Sequence, residues 1–168
     1  MHKKVNIKKF FCIGFLFFGG AAFQACAVES AEIVFSMSVP RPSCSVSVES
    51  SKNLGELKLG KQKHPKIPVT IACSGTVKTA LTAEPVDRTR LQADNETLSV
   101  PINDEGGPLL RLADNQDSVI KLTGKKNDAF CTSTGEGQTC YVAPVTYVKK
   151  NTPVGKGSVA IRFNVVYP

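Results

Sequence analysis

The stretch Gly157-Ser158-Val159-Ala160-Ile161-Arg162-Phe163-Asn164-Val165-Val166-Tyr167-Pro168 sets Val159, Ile161, Phe163, Val165 and Tyr167 on every second position. A two-residue period puts these apolar side chains on one face of a β-strand. The sequence ends one residue later, so no following hairpin strand can cover this one. An apolar strand with an open edge is an aggregation hazard and needs a neighbour. That neighbour is either an earlier segment or another chain, and the rest of the sequence favours another chain.

Working outward, little of the sequence carries a helical period. Short β-rich runs at 33–39, 44–48, 54–59, 67–73, 77–83, 98–102, 109–112, 118–122, 140–148 and 157–167 are separated by Gly, Pro, Asn and Asp. That is the pattern of an all-β sandwich of the immunoglobulin type, with eight to ten strands expected. Ser74-Gly75 reads as a turn between two strands, as does Asn103-Asp104-Glu105-Gly106-Gly107. Residues 129–140 read as a Gly-rich polar loop.

The N-terminus has the layout of a secretory signal. Lys3, Lys4, Lys8 and Lys9 precede the apolar run 10–18, and Ala25-Cys26-Ala27 fits a small-x-small cleavage site. The apolar run is shorter than the roughly 20 residues that a membrane span needs. Removing residues 1–27 leaves 141 residues, enough for one domain with one core. It also takes away four of the 21 basic residues and none of the 14 acidic ones, so the net charge falls from +7 to +3. The basicity is therefore no sign of a nucleic-acid partner, and no basic run is interleaved with aromatics as single-strand binding requires.

Four of six cysteines remain, Cys44, Cys73, Cys131 and Cys140, an even number in an exported chain and hence a disulfide set. Three pairings exist, and the simplest is Cys44–Cys73 with Cys131–Cys140. The Gly-rich middle of 131–140 can bring its own ends together as a hairpin tip. There is no C-x-x-C, and the only histidine after residue 27 is His64, which argues against zinc.

Residues 28–43 are set apart. Ile33, Phe35, Met37 and Val39 alternate as a strand does, and Pro40-Arg41-Pro42 then stiffens the break before Cys44. An apolar arm at one end and an apolar open edge at the other imply head-to-tail strand addition between copies. Such a contact does not close on itself and propagates as a fibre.

The chain from about residue 33 to 168 resembles the pilin-type subunits of chaperone–usher fimbriae. The resemblance rests on the penultimate Tyr167, the alternation Ile161, Phe163, Val165 before it, and Gly155 at the fourteenth place from the end. The runs 141–148 and 106–112, the Cys44 and Cys73 positions and Leu54-Gly55 are similar as well. The resemblance implies an incomplete immunoglobulin-like sandwich that lacks its final strand, with a signal peptide at 1–27, a donor-strand extension at 28–43 and a pilin domain at 44–168. It implies an acceptor groove beside Val159, Ile161, Phe163, Val165 and Tyr167. A periplasmic chaperone would fill that groove and hold the carboxylate of Pro168, and the arm of a neighbouring subunit would replace it at an outer-membrane usher. The subunit would pass through the periplasm to a surface fimbria that supports cell adhesion. Arms of this family usually carry Gly where this chain has Met37, which points to a minor subunit. The pair Cys131 and Cys140 is an addition to the usual single disulfide.

An enzyme is not expected, since one histidine among lysines and prolines and solvated turns such as residues 114–117 offer no paired catalytic groups. No cofactor is implied. Asn95-Glu96-Thr97 matches a glycosylation sequon, incidental in a bacterial fimbria. The alternative function is a single-domain adhesin or secreted immunoglobulin-like module that recognises a host receptor, with residues 129–140 as the loop to watch. No separate lectin domain fits in the length, and the lack of Trp leaves little for stacking on sugars.

Overall fold

A computed structural model describes residues 32–168, so the expected signal peptide lies outside the described residues. The chain divides into two units, 1–38 and 39–168. Of the first, residues 32–38 form no strand, and Ile33, Phe35 and Met37 are exposed. Val39, at the start of the second, is exposed as well. The strand expected over 33–39 is thus not formed here, for a strand exists only where a neighbour completes its hydrogen bonds.

The second unit holds seven strands among the described residues: β1 (Cys44–Val48), β2 (Gly60–Lys63), β3 (Ile67–Pro85), β4 (Leu98–Ser99), β5 (Leu109–Ala113), β6 (Phe130–Val148) and β7 (Ile161–Val166). Among the described residues all pairings are antiparallel, and the only helical pieces are two single 3-10 turns. β3 and β6 run side by side as a long ribbon, from Ile67 opposite Val142 to Leu81 opposite Phe130. The ribbon turns back on itself. Its register breaks between Ala72 and Val77, where Ser74-Gly75 lies, and faces Gly135-Glu136-Gly137 on β6. Ser74-Gly75 is therefore a bend within one strand rather than a turn between two. The limbs of the ribbon form opposed layers, and beyond Val142 β6 leaves β3 to run between β2 and β5.

Residues from both layers make the core: Val69 and Ile71 from the first limb of β3, Leu81 and Ala83 from the second, with Leu98, Leu110, Leu112, Ile120, Leu122, Cys140 and Val142. Gln138 ties the layers, its Nε2 donating to the carbonyl of Cys131 at 2.8 Å and to the Thr79 hydroxyl at 3.3 Å. Both expected disulfides are present, Cys44–Cys73 and Cys131–Cys140.

Three further local readings are corrected. Residues 54–59 are not a strand, because Gly55 adopts a positive φ of 74° and its N–H is caught by the Asn53 side chain. The strand comes later, as the lysine-rich β2. Residues 118–122 form no regular strand, but the bridge Ala113–Val119 and single backbone hydrogen bonds to Leu112, Asp114 and Asn95. Residues 130–140 are strand rather than surface loop, each limb hydrogen-bonded to β3. The Asn103-Asp104 turn is as expected, both residues having positive φ between the bridged Ile102 and Glu105.

A groove between the first and last strands

β7 carries the alternation with which the sequence ends. Ile161, Phe163 and Val165 lie opposite Pro85, Ala83 and Leu81 of β3, and with Val159 they pack half-buried against the core. The backbone ladder extends one step further, the N–H of Val86 donating to the carbonyl of Ala160 at 2.9 Å. On the polar side, Asn164 donates to Glu84 at 3.3 Å and Arg162 stands 4.0 Å from the same carboxylate. The Arg88 guanidinium is the main reason the Glu84 carboxyl titrates below its ordinary range.

The register places β1 and β7 on one edge of β3. Val69 has Cys140 of β6 on one side and Val48 of β1 on the other. Leu81 has Phe130 of β6 on one side and Val165 of β7 on the other. Each runs antiparallel to its own limb of β3, β1 to the first and β7 to the second. They approach but exchange no hydrogen bonds, and among the described residues neither pairs with anything except β3. Two open backbone edges thus border a groove, and Val46, Val159, Ile161, Phe163 and Val165, half-buried against the core, lie on or beside the two strands. An extended peptide that enters such a groove gains main-chain hydrogen bonds from the edges, and its alternate side chains gain apolar contacts. Tyr167, 44 % exposed, and Pro168 lie just past the end of β7.

The segment that launches β7 is held by contacts the sequence does not announce. Gly157 bridges to Ile102, and a Cβ on it would sit 2.5 Å from the carbonyl oxygen of Pro101. Gly155, singled out above, has φ 154° and lies against the Ile102 side chain, with 2.7 Å for a Cβ. Beside this segment, Val86, Arg90, Pro101 and Val159 line a shallow recess at the head of the groove. Of the residues named from the sequence, the structure thus gathers Val159, Ile161, Phe163 and Val165 at one site, with Gly155 leading into it. It adds Val46, Ile102 and Gly157. The partner of Gly157 is 55 residues away in sequence, and no local pattern marks it.

Among the described residues no group of three His, Cys, Asp or Glu is placed to hold a metal ion. His64 is buried, its Nε2 2.9 Å from the Thr146 hydroxyl. The sequon threonine is occupied as well: Thr97 donates to Asp94 at 2.5 Å and accepts from Arg111 at 2.6 Å.

No family model and no curated protein matches the chain in sequence. Solved structures do match. One is the crystal structure of the P pilus rod subunit PapA, with a TM-score of 0.54 at 16% identity over 74% of this chain and 99% of that one. Another is a subunit from a chaperone–usher pilus solved to explain rod uncoiling, with a TM-score of 0.52 at 16% identity over 84% and 98% of the two chains. The fold is that of the pilin subunits, an immunoglobulin-like sandwich.

Proposed function

We propose that this chain is a structural subunit of a chaperone–usher fimbria, a minor one, and that its groove between β1 and β7 is filled in turn by two donor strands. A periplasmic chaperone lends the first while basic residues hold the Pro168 carboxylate. The arm of the next subunit supplies the second at the outer-membrane usher. This chain's own arm, residues 28–43, does the same for its neighbour through Ile33, Phe35, Met37 and Val39. The mature subunit is exported through the periplasm to a fimbria on the cell surface that supports adhesion. The carrying observation is β7 itself: one edge laddered to β3, the other open, and Ile161, Phe163 and Val165 half-buried between. Met37, 90 % exposed, stands where a flat arm would carry glycine, and this supports the minor role.

The test is periplasmic co-purification followed by strand exchange. The chain is expressed with and without a fimbrial chaperone, and a peptide of residues 28–43 is added to the product. A one-to-one complex that forms only with the chaperone, and from which the peptide displaces it, is the expected result. A stable chaperone-free monomer that ignores the peptide would mean a complete sandwich and would sink the proposal.

A further inference from the structure

The basic residues are not spread evenly. Residues 57–66 hold Lys58, Lys61, Lys63 and Lys66 and no acid, and residues 137–156 hold Lys149, Lys150 and Lys156 and no acid. The remainder of 28–168 has ten basic and fourteen acidic residues, so the excess positive charge resides in these two segments. The fold joins them. β2 pairs with the end of β6, Gly60 opposite Val148 and Lys61 opposite Tyr147, so Lys61 comes close to Lys149 and Lys150, which follow directly on β6, and Lys58 lies just ahead of β2. All four are exposed, and none forms an ion pair among the described residues. Lys63 differs, being paired with Asp117.

A lysine on an edge strand guards against edge-to-edge pairing. That accounts for Lys61 and Lys63 on β2, but not for Lys58, Lys149 or Lys150, which lie outside it. Nor does it account for Tyr147. This ring sits in a three-strand row between Lys61 of β2 and Leu109 of β5, and it is 45 % exposed although its neighbours Thr146 and Ala143 on the same strand are buried. A flat aromatic platform amid unpaired ammonium groups matches an acidic sugar chain, whose rings stack and whose anions pair. The free cations are all lysines, compact charges that pair with sulfate and carboxylate alike, so the most densely charged chains, the sulfated ones, gain most from them. The one arginine of this face, Arg111, is already bound to Asp94 and Thr97.

We propose that the face formed by β2 and the end of β6 binds a sulfated polysaccharide, through Lys58, Lys61, Lys149 and Lys150 around Tyr147. This site stands apart from the groove and does not rest on the fimbrial reading. The test uses the full exported chain on immobilised heparin, with hyaluronan as a carboxylate-only probe and phosphatidylserine vesicles as an anionic membrane. The expected result is salt-sensitive binding to heparin and little to the other two. The triple variant Lys61→Gln, Lys149→Gln, Lys150→Gln loses about tenfold in affinity. Tyr147→Ala weakens binding at unchanged charge, by about threefold or more. Lys78→Gln, Lys125→Gln, Lys126→Gln removes the same charge elsewhere and changes affinity by less than about twofold. If this second triple variant loses as much as the first, the binding is only net charge and the proposed site is wrong. Equal binding to hyaluronan overturns the sulfate assignment, and preference for the vesicles replaces the polysaccharide with a membrane.

Discussion

Cys131 and Cys140 are nine positions apart on a single β-strand, yet their Cα atoms lie 6.0 Å from each other. An extended strand would separate them by roughly 30 Å. β6 therefore doubles back between them, and the disulfide bridges the two layers that the doubling creates. Cys44–Cys73 does a different job, since it joins residues already opposite each other in the β1–β3 ladder.

The two bridges should consequently differ in what their loss does. The chain-entropy model gives about 3.5 kcal/mol for the loop of sequence separation 29 and about 2.5 for the loop of 9. Cys44→Ser with Cys73→Ser is expected to cost more stability in denaturant unfolding of the chain completed by the 28–43 peptide. Cys131→Ser with Cys140→Ser should cost less overall but should raise amide exchange over 130–140, where the fold-back is released. Unchanged exchange in that segment would show that Gln138 and the β3 pairing hold the layers without the bridge.

Thr82 points to a gain rather than a loss. Its hydroxyl oxygen is buried with no hydrogen-bond partner, in a residue only 1% exposed. A buried polar group left unpaired costs about 1–3 kcal/mol. Thr82→Val keeps the shape and removes the hydroxyl, so a stabilisation of about 1 kcal/mol is expected, read as a higher denaturant midpoint at unchanged slope. A lower midpoint would mean that the hydroxyl has a partner, such as a bound water.

Glycines separate by their surroundings. A Cβ at Gly157 would meet the Pro101 carbonyl oxygen at 2.5 Å and the Val100 side chain at 3.0 Å, whereas at Gly135 the nearest atom is 3.8 Å away. Gly157→Ala should therefore destabilise by about 1–3 kcal/mol and loosen the approach to β7, and Gly135→Ala should stay within about 0.5. Equal effects at both positions would argue that the 149–160 segment shifts freely away from Ile102.

What the sequence made legible follows from where the physics is local. The apolar alternation of 161–165 declares a strand, and the Asn103-Asp104 pair declares its turn, because both signals lie within a few residues. Both disulfides came from the same kind of reading, by the simplest pairing. The doubled ribbon was not legible. Ser74-Gly75 has the composition of a hairpin turn, but here it bends a strand whose pairing to β6 lies some 60 residues away. The first limb of β6, Thr132-Ser133-Thr134-Gly135, has no apolar period because its outward side chains face solvent, and it is a strand only because β3 pairs with it. β2 was missed for a similar reason, since Lys61 and Lys63 hide an edge strand. At the groove, the apolar residues of β7 were named in advance, while Val46, Gly157 and Ile102 depended on tertiary neighbours.

Acid sensitivity gives the last test. Asp94 accepts from the Thr97 hydroxyl, from the backbone N–H groups of Glu96 and Thr97 at 3.0 Å each, and from Arg111 at 2.9 Å. The Thr97 hydroxyl is the largest influence holding its carboxyl far below the ordinary aspartate range. A group whose pKa is depressed by folding contributes stability that is complete above its unfolded value, near pH 4, and is lost as the pH falls toward the folded value. Asp94→Asn keeps an acceptor for the backbone N–H groups but gives up the charge opposite Arg111. With the site about a third exposed, a loss of about 1 kcal/mol at pH 7 is expected after solvent screening. Between pH 5 and about pH 2 the variant should lose less stability than the parent, so the two curves converge in acid. Parallel curves over that range would show that the carboxylate is no better held in the folded chain than in the unfolded one, and that this turn owes its order to the Thr97–Arg111 contact alone.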